Sequence, residues 1–160
     1  MNYDLSKHKE IREAVVNHLQ STSLTELPGG VWSARIAPFP DDVDQYPVAS
    51  VFTGNDNSDE TPDEQNLNRE YDVDILIISK GYDVTDTGSG QESFIDKCDA
   101  AAKAIENALG GFRFNLGAVV YRLKYSSSVM TIDNDGALWV QVRIATWKAI
   151  SKEKKVGAPG

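Results

Sequence analysis

Cysteine is almost missing from this sequence. Cys98 stands alone among 160 residues, which excludes an intramolecular disulfide and any multi-cysteine zinc site. Histidine is scarce as well, with His8 and His18 both falling in the first predicted helix and reading as surface or boundary residues. The 16 Lys and Arg are outnumbered by 24 Asp and Glu, a formal net charge of −8. Broad nucleic-acid affinity is therefore excluded, because phosphate binding draws on Lys and Arg that release counterions. Anionic membrane surfaces are poor partners for the same reason. No apolar run reaches the length of a bilayer span. The polar start Met1-Asn-Tyr-Asp-Leu-Ser-Lys-His has no signal-peptide h-region, so the expected setting is a soluble compartment. With 12 Gly and 6 Pro the chain is neither collagenous nor disordered by composition.

What remains is an ordinary globular chain, long enough for one domain with a real core. Ile11, Ala14, Val15 and Leu19 recur at helical spacing and predict a helix from about Ser6 to Gln20. Strands are predicted over Val31–Ile36 and Pro47–Thr53, the second with its proline at the start, where a missing N–H does least harm. A third runs from Glu70 to Ile78, with Tyr71, Val73, Ile75 and Ile77 on one face and Glu70, Asp72 and Asp74 on the other. Phe94, Ile95, Cys98, Ala101, Ala102, Ile105 and Leu109 mark a second helix from about Ser93 to Leu109. Ser93 and Asp96 stand at capping-box spacing, and Gly110-Gly111 follows as the stop. Two further strands, Ala118–Tyr125 and Leu138–Trp147, close the pattern, with Val129-Met-Thr-Ile extending one of them. The expected fold is α+β, two helices packed on a mainly antiparallel or mixed sheet in the order α-β-β-β-α-β-β. Residues 1–150 form the single domain and 151–160 a flexible tail.

Sites for chemistry are few. Thr131-Ile-Asp-Asn-Asp-Gly136 resembles the opening of an EF-hand loop. Aligned on the glycine, however, Thr131 holds the first ligand position and Val142 the twelfth, so the stretch reads as a turn. Asp72 and Asp74 point to one side of a strand, roughly 6–7 Å apart at that spacing. They are weak metal candidates, because neither a phosphate-binding glycine pattern nor a basic cluster lies near. Ser126-Ser-Ser lacks a nucleophile elbow. Cys98 sits on an apolar stripe, where a shielded thiol is expected. Trp139 and Trp147 could stack a ligand but read more readily as core or interface aromatics. No catalytic set assembles, and the expectation is a non-enzyme without a required cofactor.

The stretch Gly54-Asn-Asp-Asn-Ser-Asp-Glu-Thr-Pro-Asp-Glu is a different kind of signal. Asp56, Asp59, Glu60, Asp63 and Glu64 crowd it, with Arg69 at the start of the strand that follows. The expectation is an extended, mobile loop from Asp56 to Glu64 that orders on a basic surface or with a divalent cation such as magnesium.

Several motifs together resemble a known family. They are Ile-Arg-x-Ala-Val-x-x-x-Leu at Ile11–Leu19, Tyr46-Pro-Val-Ala-Ser-Val-Phe-Thr-Gly54, the acidic stretch leading into Arg69-Glu-Tyr-Asp-Val-Asp-Ile-Leu-Ile, and Asp133-Asn-Asp-Gly-Ala-Leu-Trp139. Over roughly Lys9–Trp147 the chain resembles the lambda-type phage tail terminators, or minor tail protein U, although Ala137 stands between the glycine and the leucine here. The resemblance implies a hexameric homo-oligomeric ring on the end of a tail tube. Such a ring stops polymerisation and offers a surface to the head–tail connector, and DNA passes through it without specific binding. It also implies a place in the virion tail, reached by way of the host cytoplasm. Asp56, Asp59, Glu60, Asp63, Glu64 and Arg69 then become candidate interface residues. Two alternatives stay open: another phage neck or head-completion connector, and a divalent-metal-dependent phosphoesterase built on Asp72, Asp74 and the loop carboxylates.

Overall fold

The computed structural model describes residues 6–36, 38–39, 43–59, 66–82, 89–110, 122–136 and 138–154. Helix α1 spans Ser6–Ser21 and α2 spans Ser89–Gly110. Five strands run Val31–Ser33 (β1), Val48–Asp59 (β2), Asn66–Tyr82 (β3), Arg122–Asp135 (β4) and Leu138–Lys154 (β5). They form one sheet in the order β1-β2-β3-β5-β4, antiparallel except for the short parallel β1–β2 pair. The α-β-β-β-α-β-β α+β fold is thus present, and its sheet is mixed.

Both helices lie on one face of the sheet. Ile11, Val15 and Leu19 of α1 and Cys98, Ala101, Ile105 and Leu109 of α2 pack with Val51, Tyr71, Val73, Ile75, Ile77 and Trp147 into one core. The four alternating residues of β3 are each at most 2% exposed, as the period-2 pattern requires. Gly81 lets α2 approach closely, since a Cβ there would stand 2.7 Å from Phe94 Cδ1. His18 Nε2 hydrogen-bonds the Ala108 carbonyl at 2.9 Å, tying the two helices together near their C-terminal ends.

In β5 the buried face is the polar-looking one. Gln141, Ala145, Trp147, Ala149 and Ser151 face the helices, whereas Val142, Ile144 and Ile150 face the other way. On that second face a smaller cluster of Tyr46, Val48 and Ile78, with Trp32, Phe39, Val140 and Val142 against it, covers one end of the sheet. At the other end of this face, the open end, no described helix or strand lies across the sheet.

Several expectations change. The acidic stretch is not a loop from its start: residues 56–59 belong to β2 and pair with residues 68–71 of β3 after a register shift between Thr53 and Asp56. Backbone pairing with a long neighbour overrides the low strand propensity of an Asn-Asp-Asn-Ser run. Helix α2 begins at Ser89, so Ser93 lies a full turn inside it and is not the cap. Strand β1 ends at Ser33, where Ala34 takes a φ of 51°. Strand β5 continues to Lys154, four residues into the segment assigned to the tail, while 155–160 lie outside the described residues. The Asp-Asn-Asp-Gly stretch is a hairpin end, with Asp135 paired to Leu138 and Gly136 at a φ of 65°.

Candidate assembly surface

Asp56 is tied to two other elements of the fold. Its Oδ2 lies 3.0 Å from His8 Nε2 on α1, and its Oδ1 lies 3.6 Å from Arg69 Nη1 on β3. The His8 ring also meets Tyr71 edge-on, with centroids 4.8 Å apart. Asp56 and Arg69 are therefore bound to each other within one subunit. Asp59 closes β2 opposite Asn68, and Glu60, Asp63 and Glu64 lie outside the described residues.

Asp72 and Asp74 do share the open face, but each is engaged by β5. Lys148 donates a hydrogen bond to Asp72, and Thr146 Oγ1 donates to Asp74 Oδ1 at 2.8 Å. The bond to Asp72 raises the Lys148 pKa, with Glu70 and Asp74 adding to the effect. Among the described residues no group of three or more His, Cys, Asp or Glu is placed to hold a metal ion.

Across this open face the charge is graded. Glu70, Asp72 and Asp74 form a row on β3, Lys148 sits beside them on β5, and Lys124 and Arg122 follow on β4, both exposed. A groove of about 320 Å³ runs between Glu70, Lys148, Ile150, Arg122 and Lys124.

Both sides of the sheet end in edges that no described strand covers. On one side β1 pairs only with Ala49–Val51, so beyond Val51 no described strand pairs with that side of β2, which ends in the acidic stretch. On the other side β4 is the terminal strand along all of Arg122–Asp135. That strand starts basic and then exposes Tyr125, Val129, Met130 and Ile132, with Ile144 of β5 beside them. Free edges of this length are normally blunted by charge, proline or cover, unless a partner chain adds to them. Sequence reading did not single out Arg122, Lys124 or the apolar run. The available signal was Val129-Met-Thr-Ile, hydrophobic residues continuing past a serine-rich stretch.

Elsewhere the surface offers little for chemistry. A cleft of about 560 Å³ between α1 and β1, floored by Leu19, Leu24, Leu27 and Trp32, has no ionisable side chain in its lining. Cys98 is fully buried, its Sγ 3.8 Å from the Ile77 carbonyl, and burial pushes its pKa up to about 11. No helix among the described residues is long and apolar enough to cross a membrane.

No family model matches the chain, and no curated protein matches it in sequence. Among solved structures it is similar to a chain in the virion of a native gene transfer agent (GTA) particle. The TM-score is 0.57 at 15% identity, and the match covers 94% of this chain and 99% of that one. At that identity the likeness establishes a shared fold over nearly the whole of both chains.

Proposed function

We propose that this chain is a virion structural protein of the tail terminator type. It assembles head to tail into a ring, six subunits by the family resemblance, on the end of a tail tube. One observation carries the reading. The two edges of the sheet that no described strand covers differ in charge: the outer part of β2 carries Asp56 and Asp59, and the start of β4 carries Arg122 and Lys124. An isologous dimer uses one patch twice, whereas two different complementary patches on opposite sides of a subunit generate a ring when the rotation between neighbours closes.

Three further points support it. The fold is shared with a chain of a gene transfer agent virion. A net charge of −8 suits a channel through which DNA moves without sticking. The carboxylates Asp72 and Asp74, on which the phosphoesterase reading depended, are held by Lys148 and Thr146. The partners on this reading are further copies of the chain, the tail tube protein and the head–tail connector. Magnesium is an aid to assembly and not a catalytic cofactor.

Light scattering across protein concentration, with and without magnesium, tests the assembly. Monomer and closed ring are the expected species, and a concentration-independent dimer contradicts the proposal. Magnesium-dependent phosphoesterase activity that disappears in Asp72→Asn would restore the enzymatic alternative.

A further inference from the structure

The strand that ends the sheet nearly mirrors itself. Its ladder with β5 pairs Arg122–Tyr125 and Ser127–Asp135, with Ser126 left over where the register shifts. Counted without Ser126, six residues of β4 stand on either side of Val129. Paired residues of an antiparallel sheet project to the same side. Lys124, Val129 and Asp133 pair with Lys148, Ile144 and Val140, so all three project to the open face. Tyr125, Met130 and Ile132 pair with Trp147, Arg143 and Gln141 and project to the helix face.

An antiparallel copy of this strand, centred on Val129, matches it on both faces. Val129 meets itself, Tyr125 meets Ile132, Ser128 meets Met130 and Lys124 meets Asp133. A slip by one residue sets open-face side chains against helix-face ones, and a slip by two takes Lys124 off Asp133. Lys124 lacks such a partner at home. Its neighbour on β5 is Lys148, a like charge that Asp72 already holds. Asp133 accepts the Asn134 amide at 2.8 Å with one oxygen, and among the described residues neither Asp133 nor Lys124 has an ion pair. Apolar exposure is concentrated here as well. Of six exposed large hydrophobics among the described residues, Tyr125, Val129, Met130 and Ile132 lie on β4, and Ile144 lies beside them.

We infer that two free copies of this chain pair antiparallel through β4, across a two-fold axis at Val129. A two-fold contact is closed, so it covers the edge without seeding a fibre. The inference does not rest on the ring reading, and the pair competes with a ring neighbour for one edge. The pair is thus a resting form that opens before β4 enters a ring. A seam one strand wide is smaller than a stable interface, so the pair opens on dilution. It is therefore not the concentration-independent dimer that contradicts the ring.

Sedimentation velocity of the full chain without tail tubes tests this, and a dimer fraction that grows with concentration is expected. Lys124→Glu and Asp133→Lys are exposed changes that should leave the melting temperature unmoved. Each turns two ion pairs of the dimer into two repulsions and should weaken pairing about tenfold. Both together on one chain should restore it, which a contact between two unlike surfaces does not predict. Mild oxidation should link Val129→Cys to itself, while Cys98 stays buried and unreactive. Thr131→Cys, which stands roughly 14 Å along the strand from its own copy, should link only to Ser127→Cys in a mixture. Dimers without the Val129 link, or a double variant as weak as either single one, overturn this pairing. Wild type that passes from monomer to ring with no dimer also overturns it and leaves the ring reading standing. A linked wild-type-like dimer that tail tubes never convert to a ring upholds the pairing and overturns the ring reading.

Discussion

His8 and Asp56 meet at 3.0 Å and join the first turns of α1 to the outer part of β2, with Arg69 on the other oxygen of the same carboxylate. This divides the acidic residues into two kinds. Asp56→Asn removes the charge that pairs with Arg69 and weakens the contact with His8, and should lower stability by about 1 kcal/mol. Replacing Asp59, Glu60, Asp63 and Glu64 together by Asn or Gln should leave the melting temperature nearly unchanged, yet should shift assembly and weaken its dependence on salt. Thermal melts of the two variants, read beside their assembly curves, check the division.

Cys98 gives a pH signature. Its folded pKa is about 11 against an ordinary 9.0. For an acid whose pKa rises on folding, the unfolded chain ionises first. The contribution is therefore complete below pH 9 and is lost as the pH climbs towards 11. Denaturant melts from pH 8 to 11 should show a steeper alkaline decline in wild type than in Cys98→Ala. A thiol reagent should label Cys98 slowly in the native protein and quickly in denaturant. Equal rates would place the thiol outside the core.

Gln141 is fully buried on the helix-facing side of β5, and among the described residues neither its amide nitrogen nor its oxygen has a hydrogen-bond partner. Burying an unpaired amide is costly, so a side chain of similar length without polar groups should be preferred there. Gln141→Met is expected to raise stability by about 1 kcal/mol, seen as a higher urea midpoint at an unchanged slope. A fall in the midpoint would mean that the amide is satisfied by water.

The elements were legible in the sequence wherever the hydrophobic period was clean. Ile11, Val15 and Leu19 located α1, and Tyr71, Val73, Ile75 and Ile77 located β3 together with its buried face. Residues 56–59 were not legible as strand, because Asn, Asp and Ser carry no strand preference and their pairing comes from β3. Nor did composition show that Gln141 and Trp147 would be buried while Ile144 stayed exposed: β5 is central, and α2 decides which of its faces is covered. Of the candidate site, the carboxylates were visible as an unusual run. The basic, apolar β4 edge opposite them was not, because its meaning depends on β4 being last in the sheet.

In the proposed ring two unlike edges of one sheet meet from subunit to subunit, and electron microscopy of tail tubes mixed with the purified protein is the decisive measurement. The expected result is a ring of copies at one end of each tube, with elongation stopped. Tubes that keep growing with bare ends, in the presence of folded protein that stays monomeric or dimeric, would contradict it.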